Sequence, residues 1–190
     1  FFSPPPVTPP VEVIRGWLTT HREAMDYLMV CLPWEQHRMP AGTPMPRQEC
    51  WFSKTPSKYA YSGEVYSSLP MTKAILVLLH RANSASPGLD ADAVFCNLYR
   101  DGRDSIGWHC DDEPVLGPTS KVVIASLSLG ARRKFSMRHK TTKEAYHWQL
   151  GDGDLLIMGE GSQSDWLHSV PKTTLEVKPR INLTFRRLVH

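Results

Sequence analysis

Long apolar runs are missing from this sequence of 190 residues: the longest, Ala74 to Leu79, falls far short of the roughly 18 residues of a membrane-spanning helix. No signal-peptide apolar core is visible, although the chain starts at Phe1 rather than Met, which reads as a processed or truncated start. Cysteine is scarce. Cys31, Cys50, Cys96 and Cys110 include no CxxC pair, so free thiols in a reducing compartment are expected, that is an intracellular protein of the nucleus and/or cytoplasm. Charge of one sign is lacking as well: a net charge of +3 is too small to establish a nucleic-acid partner by itself. No internal repeat is present. What remains is ordinary for a globular chain, 41% hydrophobic and 22% charged, which excludes global disorder. The length fits one domain that buries about 70% of the surface its unfolded chain exposes.

Proline is abundant but uneven, and five of the 16 fall within Phe1 to Pro10. Residues 1–15 therefore read as an extended, solvated leader and residues 16–190 as a single domain. Thr20 and Glu23 have capping-box spacing ahead of an apolar face at Ala24, Leu28 and Cys31/Leu32, so a helix is expected from about Thr20 until Pro33 stops it. Met39 to Pro56, rich in Pro and Gly, reads as a loop or irregular hairpin. A second helix is expected after Pro70, with Ile75, Leu78, Leu79 and Ala82 on one face, ending before Pro87. From Val94 the pattern shifts to short strands: Val94–Tyr99, Ile106–Asp111, Val122–Leu129, Arg133–Met137, Tyr146–Leu150, Asp154–Met158, Trp166–Val170 and Arg180–Arg186. Gly151-Asp152-Gly153 reads as a hairpin turn among them. Helices in 16–93 followed by strands in 94–190 describe an α+β chain, a β-sandwich or jelly roll backed by helices.

Two constellations carry chemistry. His109 and Asp111 alternate on one expected strand and so project to one face, with Cys110 pointing away. With His168 downstream they make two histidines and a carboxylate, the facial set that holds non-haem Fe(II) and keeps positions open; a zinc hydrolase could use the same ligands. A His-x-Asp pair alone is a weak signal, and a structural or surface role stays open for it. The last strand is more telling. Arg180, Asn182, Thr184 and Arg186 share one face, and Ile181, Leu183 and Phe185 share the other. The apolar face belongs in the core, while the two guanidinium groups must look into water or a polar cavity, where they suit a carboxylate. Asn97 and Tyr99, alternating on another strand, could contact the same anion; an ordinary amphipathic edge strand is the plain alternative.

Over roughly Trp34 to Arg187 the chain resembles the AlkB family of Fe(II)- and 2-oxoglutarate-dependent dioxygenases. The motifs that carry this are Asn97-Leu98-Tyr99, His109-x-Asp111-Asp112-Glu113, a distal His168, and Arg180-x-Asn182-x-Thr184-x-Arg186. The resemblance implies a double-stranded β-helix (jelly roll) with N-terminal supporting helices and a nucleotide-recognition lid. It implies that His109, Asp111 and His168 are the catalytic iron ligands, and that Arg180 pairs with the distal carboxylate of 2-oxoglutarate beside Asn97 and Tyr99. Asn182, Thr184 and Arg186 then line the co-substrate pocket. Asp112 matches the acid that, in repair members, contacts the exocyclic amine of the damaged base. The implied activity is oxidative demethylation, with O2, of 1-methyladenine and 3-methylcytosine in nucleic acid during alkylation damage repair.

For the substrate, Pro46 to Phe52 and Tyr59 to Ser62 resemble the family's lid. Tyr59, Tyr61 and Trp51 are therefore candidate base contacts, with packing under a loop as the alternative for each. The +3 total also hides its own placement. Arg132 to Lys143 holds six basic residues and no acid, and Arg133 within it is a candidate phosphate contact; a solvated charged face is the alternative. Glu35 to Gly42 has no bulky aromatic, leaving Met39 as the one wedge candidate for opening a duplex. Trp108 to Pro114 resembles homologues acting on single strands, so single-stranded DNA or RNA is the expected partner of a monomer with no membrane attachment. Two other readings stay open: the same oxygenase chemistry on a protein side chain or small metabolite, and a non-catalytic nucleic-acid-binding module.

Overall fold

Alternating side chains build this fold around one large sheet with a different core on each face. The computed structural model describes residues 7–39, 41–61 and 64–189, the side chains of residues 59–61 and 64 excepted. In chain order the strands are β1 (Val11–Ile14), β2 (Gln48–Ser53), β3 (Lys58–Tyr61), β4 (Glu64–Ser67), β5 (Leu69–Pro70), β6 (Ala93–Tyr99), β7 (Ile106–His109), β8 (Ile124–Gly130), β9 (Arg133–His139), β10 (Ala145–Leu150), β11 (Leu155–Met158), β12 (Trp166–Val170) and β13 (Arg180–Arg186). The helices are α1 (His21–Cys31), α2 (Lys73–Ala85) and the short α3 (Ser162–Asp165). Seven strands form a sheet in the order β1-β11-β8-β13-β6-β2-β5, four form β10-β9-β12-β7, and β3 pairs with β4 apart from both.

Val94, Cys96 and Leu98 of β6, with Ile181, Leu183 and Phe185 of β13, pack against Leu28 of α1 and Ile75, Leu78, Leu79 and Ala82 of α2. The opposite faces of the large sheet meet the small one, where Ala93, Phe95 and Tyr99 join Phe135, Met137, Trp166 and Val170. Helices, large sheet and small sheet thus stack as the expected jelly roll backed by helices. The polar positions of β13, buried along all seven residues, consequently point between the two sheets. Among the described residues no helix is long and apolar enough to cross a membrane. All four cysteines are free, with Cys50 and Cys96 opposite one another across β2 and β6.

The helix α2 begins where Thr72 Oγ1 accepts the Ile75 N–H at 3.3 Å, and it buries the four apolar residues expected of it. Thr20 precedes α1 but makes no side-chain cap bond, so the capping box with Glu23 is not formed. Three segments depart from the sequence expectation. Val11–Ile14, inside the expected leader, is an edge strand paired with Leu155–Met158, because Val11 and Val13 reach the inter-sheet core. The leader's residues 1–6 lie outside the described residues. Gln48–Ser53, expected in a loop or lid, is an inner strand between β6 and β5. Cys50 and Phe52 pack toward the helices and Trp51 between the sheets, which outweighs the Pro-rich composition of the flanks. Finally, Gly151-Asp152-Gly153 is a corner from the small sheet to the large one, not a hairpin turn. Gly153 has φ 82°, and a Cβ there would fall 2.7 Å from the Leu18 carbonyl oxygen.

Candidate active site

The strand register lays out the floor of an inter-sheet cavity. Tyr99 pairs with Arg180, Asn97 with Asn182, Phe95 with Thr184 and Ala93 with Arg186, while β2 sets Glu49 opposite Asn97. Across from them, His168 of β12 stands directly opposite His109 of β7. Asp111 follows in the loop after β7, where its backbone N–H donates to Gln163 Oε1 of α3 at 2.9 Å.

Ligand atoms of His109, Asp111 and His168 all lie within 4.8 Å of one another. His109 Nε2 is 3.9 Å from Asp111 Oδ1 and His168 Nε2 is 3.8 Å from Oδ2, both too long for hydrogen bonds. His109 Nδ1 donates to the Gly107 carbonyl at 2.9 Å, which leaves the Nε2 lone pair turned toward Asp111. Burial pushes the His109 pKa down, and burial followed by the neighbouring His109 pushes His168 to about 3. Both rings are therefore neutral near physiological pH, the form that ligates a metal. Burial works to raise Asp111, but the Arg186 guanidinium and then the two histidines hold it below the usual carboxylate range. Arg186 Nη2 donates to Asp111 Oδ1 at 3.0 Å, and Oδ2 is buried with no hydrogen-bond partner. Two neutral imidazoles and a carboxylate with an orphaned oxygen fit one divalent ion such as Fe(II).

Four arginines are buried in this region, and their partners separate them. Arg47 meets Glu49, Arg186 meets Asp111, and Arg133 donates to the carbonyls of Asp101, Asp104 and Pro171. Arg180 meets no carboxylate among the described residues: Nη2 donates to Ser128 Oγ at 2.9 Å, and the guanidinium lies 5.3 Å from the Tyr99 ring centre. Its Nε and Nη1 are buried without a hydrogen-bond partner, and burial lowers its pKa to about 10. A buried cation with open donors fits a small carboxylate, as one end of 2-oxoglutarate would supply.

One cavity gathers the expected iron set with Asn97, Tyr99, Asn182, Thr184 and Arg186; Arg180 lies just behind Tyr99. Asn182 Nδ2 is engaged by Ser126 Oγ and the Leu127 carbonyl, and Thr184 Oγ1 by the Phe95 carbonyl. Two expected substrate contacts are placed elsewhere. Trp51 is core between the sheets, because β2 is an inner strand. Arg133 is buried and spends its guanidinium on three loop carbonyls, so it cannot reach a phosphate. Asp112 is exposed and off the cavity, its carboxylate accepting from the Cys110 thiol at 3.5 Å. The side chains of Tyr59 and Tyr61 lie outside the described residues. Two cavity residues went unexpected: Arg47 Nε donates to Glu49 Oε1 at 2.6 Å and to Asn97 Oδ1 at 3.0 Å. Their Arg-x-Glu alternation into Trp51 was the available sign of a strand.

Comparison with known proteins agrees with this geometry. Residues 10–186 match the model of the 2OG-Fe(II) oxygenase superfamily. Bovine alpha-ketoglutarate-dependent dioxygenase alkB homolog 3 is 39% identical over 167 residues, covering 82% of this chain and 57% of that protein. Bovine DNA oxidative demethylase ALKBH2 is 35% identical over 153 residues, covering 76% and 54%. The chain thus spans little more than half the length of these relatives. The solved structure of OsALKBH1 superposes with a TM-score of 0.65 at 17% identity, covering 95% of this chain and 98% of that one, a likeness of fold. On the iron set, the open guanidinium and these matches together, the chain belongs to the 2OG-Fe(II) oxygenase superfamily and, within it, to the AlkB family.

Proposed function

We propose that this protein is an Fe(II)- and 2-oxoglutarate-dependent oxidative demethylase of N-alkylated nucleobases, 1-methyladenine and 3-methylcytosine, in single-stranded DNA or RNA. Its place is alkylation damage repair inside the cell, in the nucleus and/or cytoplasm, where it acts as a monomer. The observation that carries the reading is a cavity lined by a complete His-Asp-His set, with a guanidinium that has open donors just behind its Tyr99 wall. One relative's name, DNA oxidative demethylase, supports a nucleic-acid substrate. The single-strand preference is supported by the turn at Arg38–Pro44, which offers a half-exposed Met39 and no aromatic wedge.

When bound, Fe(II) with 2-oxoglutarate and O2 supplies the oxidation that releases an N-methyl group as formaldehyde, with succinate and CO2 as co-products. The chain's own residues do the positioning. His109, Asp111 and His168 would hold the ion through three atoms and leave its remaining positions open. Arg186 fixes the rotamer of Asp111 and keeps it ionised. Arg180 and Tyr99 would hold the distal carboxylate of 2-oxoglutarate, and Arg47 orients Asn97 beside them.

The test incubates the protein with iron, 2-oxoglutarate and a panel of methylated single- and double-stranded DNA and RNA oligonucleotides, with products identified by mass spectrometry. Formaldehyde and unmethylated base from single strands are expected, and Asp111→Ala should abolish both while its melting stays cooperative. An inert panel, or full activity in Asp111→Ala, overturns the proposal.

A further inference from the structure

Of the three residues in the iron set, Asp111 alone lies outside a strand. His109 closes β7 and His168 stands opposite it in β12, so the sheet ladder holds both. Asp111 comes after the end of β7, where no ladder reaches it. Arg186 holds its carboxylate at Oδ1, which sets the side chain but not the backbone that carries it.

That backbone is held by Gln163. Its Oε1 accepts the Asp111 N–H at 2.9 Å, across 52 residues of chain. The Gln163 side chain is fully buried, and its Nε2 donates to Ser162 Oγ at 2.9 Å and to Met158 Sδ at 3.6 Å. The amide cannot turn its oxygen away from Asp111 without giving up all three bonds. Its main chain is pinned in turn. Lys140 Nζ donates to the Gln163 carbonyl at 2.8 Å, and the Lys140 N–H to the Asp165 carbonyl at 2.8 Å. From α3 the chain runs straight into β12. One short stretch, 163–168, therefore supplies one residue of the iron set and grips the main chain of another.

We infer that Gln163 is a positioning residue of the iron site. By tying the Asp111 backbone to the segment that carries His168, it sets the span between these two ligands before any metal arrives. The inference rests on the iron-site part of the reading above and on no particular substrate. Groups that orient metal ligands from behind are worth roughly 10- to 100-fold in metal affinity.

The experiment titrates the metal-free protein calorimetrically with Mn(II), used in place of Fe(II) because air does not oxidise it, and records the visible absorption of bound Co(II). Gln163→Met keeps the length of the side chain but offers no carbonyl. It should raise the Mn(II) Kd by roughly 10- to 100-fold and change the Co(II) absorption, while the metal-free variant still melts cooperatively. Gln163→Asn, whose carbonyl falls one methylene short, should weaken binding as well. Ser164→Ala removes a hydroxyl bonded at 3.2 Å to the Gly161 carbonyl on the same helix, and it should leave both readings at the wild-type value. An unchanged Kd in either Gln163 variant overturns the inference and leaves the iron site standing. An equal loss in Ser164→Ala also overturns it, since loosening of α3 would then be the cause. Should neither Gln163 variant fold, metal-free wild type decides the matter by hydrogen exchange. The Asp111 amide should exchange far more slowly than those of Cys110 and Asp112, and exchange as fast as theirs overturns the inference. Wild type that binds no Mn(II) overturns the iron-site reading and the inference with it.

Discussion

Replacing Arg180 with Met should separate function from stability in opposite directions. Depression of the Arg180 pKa from 12.5 to about 10 corresponds to about 3 kcal/mol of unfavourable charge burial in the ligand-free protein. Against this, Arg180→Met forfeits the Ser128 hydrogen bond, about 1 kcal/mol, and the contact with the Tyr99 ring, about another 1 kcal/mol. The net is a gain of about 1 kcal/mol, or a Tm higher by about 2–4 °C for a chain of this size. The same substitution removes the cation that 2-oxoglutarate needs. At a hundredfold excess over its Kd the co-substrate should stabilise wild type by about 2.7 kcal/mol, roughly 5–10 °C, and should leave the variant unmoved. Calorimetry under anaerobic conditions with metal present, with and without 2-oxoglutarate, reads both quantities. A variant that melts more than about 5 °C lower without ligand would make Arg180 a structural pin. A variant that keeps the 2-oxoglutarate shift would place the carboxylate elsewhere, and either result refutes the argument.

Arg133→Met should destabilise, by about 3 kcal/mol, because it strands three loop carbonyls. It should leave the salt dependence of oligonucleotide binding unchanged, as a titration of affinity against salt will show. Asp154 contributes to acid sensitivity, as do Asp101, Asp104 and Asp111, whose carboxyls are also held low. Burial works to raise its pKa, but the Gly151 N–H, the Gly16 N–H and Arg15 hold it below the unfolded value. A group with a depressed folded pKa stabilises fully above its unfolded pKa, and that contribution is lost as pH falls through the folded pKa. Asp154→Asn should therefore cost about 1–2 kcal/mol at neutral pH, with the gap to wild type closing below about pH 4 in denaturant melts.

How much of the site was legible in the sequence depended on how far apart the residues that define each feature lie. The two faces of Arg180–Arg186 follow from the two-residue period of a strand, and the structure buries both as that period requires. Arg133 shows the opposite case. In the sequence it sits in a basic run and reads as surface, yet its acceptors come from residues 101, 104 and 171, which no local pattern brings near. Trp51 and Glu49 failed for a related reason. Gln48–Ser53 is a strand because Ala93–Leu98 offers it a ladder some 45 residues away, and that pairing outweighs the prolines beside it.

Asp112 lies in the loop after β7, exposed, with the Cys110 thiol 3.5 Å from its carboxylate. Strand parity does place Glu49. Lying opposite Asn97, which is itself opposite Asn182, it has to face the cavity once β2 is known to be a strand. An acid on the cavity side of an inner strand is held by the whole ladder, whereas Asp112, in the loop after β7, meets the nearby Cys110 thiol.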